Sequence, residues 1–143
     1  MNKRMGFVLF MGTAALGLFA PHPLRAQTCQ DEEAMVTDYK QSISDLAASV
    51  KKESLADFER AYHRKSCLTK LTLSLGIAGG AADCFNKAAE DPATPKDQVA
   101  TDKAKSDSYT KLKDKLGHYR DALKSAEAGK DAKALIEKID LTG

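Results

Sequence analysis

The chain has no Trp, only four Pro and just 6% aromatic residues in 143 positions. That length is room for one domain rather than two. Three of the five Phe (Phe7, Phe10, Phe19) fall within the first twenty residues, so the front of the chain differs in composition from the rest. Long apolar runs are also missing. The uncharged stretch 6–20 has 15 residues, and 71–82 has 12. Both are too short to cross a bilayer as a helix, which takes about 20.

The front of the chain reads as an export signal. Lys3 and Arg4 precede the apolar stretch 6–20, Pro21 and Pro23 interrupt it, and Leu24-Arg25-Ala26 offers a small residue for cleavage. That pattern predicts a signal peptide over 1–26, cleaved after Ala26. An exported product, periplasmic or extracellular, is the expectation, with a single all-α domain over 27–143.

Excess positive charge is missing once the leader is set aside. Residues 1–26 carry three of the 22 basic residues and no acid, which leaves 19 basic against 20 acidic residues. A net charge of −1 gives no electrostatic basis for binding nucleic acid. Large apolar side chains are scarce as well. Residues 27–143 hold 11 Leu, 4 Ile, 3 Val and 2 Phe, close to the level at which compact folding becomes marginal. The 18 Ala in the same span favour helix but bury little area. The expected object is a small helical bundle or set of hairpins, of three to five helices and no sheet, whose thin core needs a crosslink or a partner.

Helical spacing runs through almost every segment. Tyr39, Ile43, Leu46 and Val50 recur at intervals of 4, 3 and 4 over 31–52, where three acids suit a helix start. The stripe then shifts to Leu55, Phe58 and Tyr62. That change of phase predicts a break near 51–54, with Ser54 and Asp57 capping a new start. Leu68, Leu71, Leu75, Ala78, Ala82, Phe85 and Ala89 continue at 3 and 4, interrupted by Gly76, Gly79 and Gly80. Two readings stay open for 66–90: one helix packed closely through its glycines, or a hairpin turning at 76–80.

The segment 91–95 is a loop, and Thr94-Pro95 suits the N-cap and first turn of a helix over 95–128. That helix carries Tyr109, Leu112, Leu116, Tyr119, Leu123 and Ala126 on one seam, with a ragged first half. Its long seam also provides for self-association. Gly129 closes it, and a last short helix carries Leu135, Ile136 and Ile139.

Three Cys remain after the leader: Cys29, Cys67 and Cys84. In an exported chain at least one disulfide is the default. A hairpin at 76–80 would place Cys67 and Cys84 side by side, and this is the favoured pair. Cys29–Cys84 is the alternative. One uninterrupted helix would hold Cys67 and Cys84 about 25 Å apart, beyond disulfide reach.

The motifs of common enzymes are absent. There is no Cys-x-x-Cys, nucleophile elbow, phosphate-binding glycine loop or His-Glu-x-x-His, so catalysis is not expected. Cys-x-x-Cys-His and paired Glu-x-x-His are missing too, and no cofactor is expected. The sequence reading is a protein that acts by binding a partner protein or small ligand, or by structural interaction. Two alternatives are carried. One is a metal or haem binder built on His63 and His118, each beside a Tyr and one turn after an acid. The other is a protein whose helices lie on a membrane surface, although its polar faces carry acids nearly as often as Lys.

Overall fold

The computed structural model describes residues 24–142. They form five helices: α1 (Leu24–Val50), α2 (Leu55–Arg60), α3 (His63–Glu90), α4 (Lys96–Ser125) and α5 (Gly129–Glu137). No strand occurs among the described residues, and the all-α expectation is met. The expected leader lies outside the described residues apart from 24–26, which open α1.

The break after Val50 falls where the apolar phase changes. Ser54 caps α2 by accepting the Asp57 amide at 3.2 Å, and its own hydroxyl donates to the Asp57 carboxylate. α2 lasts only six residues, and Phe58 is its buried anchor. Tyr62 then turns the chain into α3 from the left-handed region, at φ 54°. The expectation that Tyr62 continues the core stripe is corrected here. The left-handed turn swings its ring out, and the residue is 75% exposed.

α3 is one unbroken helix, so its glycines make no turn. A Cβ at Gly80 would meet the Glu32 carboxylate at 3.5 Å, and one at Gly79 would meet the Lys113 stem at 3.6 Å, both ordinary van der Waals contacts. Gly76 differs, because it is exposed and nothing lies within 4 Å of its missing Cβ. It bears the backbone entropy of an interior helical glycine with no packing return. Gly76→Ala is therefore expected to raise stability by about 0.5–1 kcal/mol. Urea denaturation would read this as a higher midpoint with an unchanged slope.

α3 is the central helix, and α1 and α4 both run antiparallel to it. Cys29 meets Cys84 at one end of the α1–α3 pair, and Ser42 meets Lys70 further along. On the other side, buried Ser106 donates to the Ala82 carbonyl at 2.9 Å. Arg64 donates to the Leu123 and Lys124 carbonyls, both at 3.2 Å, and so satisfies the end of α4. α5 closes the Arg64 end, where Ile136, Ala132 and Leu141 join Phe58 in the core.

The core is narrow, as its composition requires. Phe58, Ile43, Leu71, Leu116, Leu123 and Ile136 are its large members, and Ala78, Ala81 and Ala82 are buried on α3.

Candidate functional site

The cysteine pairing corrects the favoured expectation. Cys84 bonds Cys29, with Cα atoms 5.7 Å apart, and Cys67 stays a free buried thiol. The cause is the continuity of α3, which carries Cys67 and Cys84 on one rod about 25 Å long between them. Antiparallel α1 brings Cys29 level with Cys84 instead. Burial pushes the Cys67 thiol up to about 12, which keeps it protonated and a poor nucleophile.

The two His residues are not brought together. His63 opens α3, and its ring takes up the Glu53 carboxylate at 2.8 Å, ten residues earlier in the chain. The expected neighbour Glu59 instead lies against the start of α5, beside Gly129. His118 is exposed on α4, next to Gly117, which packs on Leu75. Arg64 reaches the end of α4, so the two His lie roughly 12 Å apart along the bundle axis. Among the described residues no group of three or more His, Cys, Asp or Glu is placed to hold a metal.

What the fold does assemble is a cavity of about 160 Å³ at the disulfide end. Cys29, Phe85, Ala88 and Pro95 form much of its wall. The loop between α3 and α4 holds its rim. There Asp91 accepts the Ala93 amide at 2.9 Å, and the Thr94 hydroxyl donates to the Ala88 carbonyl at 2.6 Å. Thr94 thus closes the end of α3 rather than capping α4, whose N-cap is Pro95.

Three polar side chains of α4 reach the cavity: Gln98, Asp102 and Lys105. Asp102 is only 5% exposed, and one of its carboxylate oxygens accepts from Gln98 Nε2 at 2.9 Å. The Lys105 ammonium is already engaged. It donates to Glu33 at 2.9 Å and lies 4.8 Å from the centre of the Phe85 ring, which also stacks on Tyr109. The cavity's volume is close to that of an engineered apolar protein cavity known to admit one benzene molecule.

Behind Phe85, Glu33 of α1 joins two groups of α4. Its carboxyl is held below the usual carboxylate range, chiefly by the Lys105 hydrogen bond and also by the Tyr109 hydroxyl, against an opposing cost of burial. Tyr109 is pushed well above the ordinary phenol range, first by burial and then by donating to Glu33. The signs set two limbs of stability. Glu33 stabilises above its ordinary value of 4.5, and this is lost as pH falls through its folded value. Tyr109 stabilises below its ordinary value of 10.0, and this is lost as pH rises above it. Urea midpoints should fall on both sides of neutrality, with Glu33→Gln flattening the acid limb and Tyr109→Phe the alkaline one.

No helix among the described residues is long and apolar enough to cross a membrane. The large apolar side chains left exposed on the surface include Met35, Leu55, Tyr62 and Leu73.

The sequence reading missed the cavity because its polar members lie in the ragged half of α4. A signal was present. Val99, Asp102, Ser106 and Tyr109 continue the seam of Leu112 and Leu116 backwards at intervals of 3, 4 and 3. Polar residues in a core register mark a place where the fold has something to bury or to bind. No known family model, curated protein or solved structure matches this chain, so the site rests on its own geometry.

Proposed function

We propose that this is an exported helical protein that acts by binding, and that its ligand is a small, largely apolar molecule held in the cavity beside Cys29–Cys84. The observation that carries the reading is the cavity itself. It has the volume of a single-ring ligand, and covalent and hydrogen-bonded walls fix its shape before any ligand arrives. A site formed in advance needs little ordering on binding, which suits a bundle with so modest a core.

Two of the chain's more reactive side chains lie away from the cavity, toward the other end of α3, and both are held. The free thiol is buried and protonated, and His63 is engaged by Glu53. Export is supported by the disulfide, since such bonds persist in oxidising compartments. Fractionation followed by N-terminal sequencing tests that part, with Gln27 the expected first residue.

Titration with benzyl alcohol tests the binding reading, followed through the amide resonances of Phe85, Ala88 and Thr94. Saturable shifts confined to the cavity are expected. Ala88→Leu places three further carbons at the wall and should abolish them. Shifts scattered over the surface, or unchanged in the filled variant, would refute a cavity ligand.

A further inference from the structure

Resting on that reading, we propose that the cavity selects a small protonated amine with a hydrocarbon body about one ring in size, its ammonium bound by Asp102. Asp102 is a carboxylate more than nine-tenths buried in a wall that is otherwise largely hydrocarbon. Within the described residues its partner is the neutral amide of Gln98, and no ion pair reaches it. A carboxylate largely removed from water gains from a cation or further donors that offset its lost hydration.

The cation that lines the cavity does not fill that role. The Lys105 ammonium is drawn away to Glu33, with Tyr109 donating to the same carboxylate, and it lies against Phe85. The loop between α3 and α4 forms the adjoining part of the cavity wall. The carbonyl end of α3 and the amide end of α4 meet at that loop and oppose each other. Asp102 therefore sets the sign of the field at its part of the wall, and it is negative. An anionic ligand would meet that field unfavourably. A neutral ligand would leave Asp102 as it is.

A protonated amine supplies the missing donors and charge, while its hydrocarbon part covers Phe85 and Ala88. The cavity volume limits that part to a single ring or a short branched chain. The Gln98 amide takes the first Asp102 oxygen and so leaves the second to the ligand.

The test compares benzylamine with benzyl alcohol, two probes of nearly the same shape that differ in charge. It uses the chain purified with Cys29–Cys84 intact and calorimetric titration at neutral pH. Benzylamine is expected to bind about tenfold tighter or more, the scale of one charge-assisted hydrogen bond. Asp102→Asn should bring the two affinities within about twofold of each other. The comparison in the unaltered protein does not depend on that variant folding. Equal binding of the two probes would overturn amine selection and leave the cavity reading in place. A preference that survives Asp102→Asn, or benzylamine binding that survives Ala88→Leu, would overturn it as well. Failure of both probes to bind would overturn amine selection and the cavity reading together.

Discussion

Cys84→Ser should be far more destabilising than loss of the third, free cysteine. The bond it removes closes a loop between residues 55 apart in sequence. Chain-entropy arithmetic for a loop of that length gives about 4 kcal/mol. A domain of this size has a total stability of roughly 6–17 kcal/mol, so the loss is a large share of what exists. The melting temperature should fall by about 15 °C. Dithiothreitol should bring the unaltered protein to the same point and should not move Cys84→Ser further. Cys67→Ala provides the contrast. Its thiol is fully buried, but Ala suits the helix interior and leaves only a small void, so the cost is about 1 kcal/mol. If Cys67→Ala matched Cys84→Ser and Cys29→Ser were mild, the antiparallel register of α1 on α3 would be wrong.

The fold class was legible because helical periodicity is a local property repeated many times. The seam from Leu68 to Ala89 needs only the spacing of apolar residues, and α3 runs through all of it. The shift from Val50 to Leu55 was legible for the same reason, and α1 ends there. The path of α3 at Gly76, Gly79 and Gly80 was not legible, because a glycine permits a turn and a close approach equally. What decides between them is how the neighbouring helices pack along the segment. Here the nearest neighbours are Glu32 and Lys113, and both lie far away in sequence. The disulfide inherited that ambiguity, since its partner depended on whether the helix continued.

The start of α1 shows a second kind of limit. Asp31, Glu32 and Glu33 looked like the acidic first turn of a helix, yet α1 begins at Leu24. Glu33 reaches α4, and Glu32 lies over Gly80. An inward-facing acid and an acid at a helix start look the same in one sequence, because only the neighbouring helices distinguish them. Asp102 belongs to the same class, and so the cavity became visible only once α3, α4 and their loop were placed together.

Leu71→Ala should cost about 3–4 kcal/mol, while Leu73→Ala, two positions along the same helix, should cost less than about 1 kcal/mol. Leu71 is fully buried in the central helix, in one cluster with Ile43 of α1 and Leu116 of α4, whereas Leu73 is 48% exposed. Large-to-small changes cost most where surroundings cannot collapse into the space left behind. Ala78 and Ala81 of α3 belong to the same cluster and have no atoms to spare for the void, and three long helices are stiff walls. Urea denaturation should therefore show a lower midpoint for Leu71→Ala at an unchanged slope. The crosslink cannot relieve this loss, since Cys84 lies about 20 Å further along α3. Sites that far apart add, within about 0.5 kcal/mol. Leu71→Ala combined with Cys84→Ser should then lose about 7–8 kcal/mol, the scale of the whole stability, and the chain should be largely unfolded at 37 °C. A double variant that still folds cooperatively at that temperature would mean the narrow core carries more stability than its few large side chains account for.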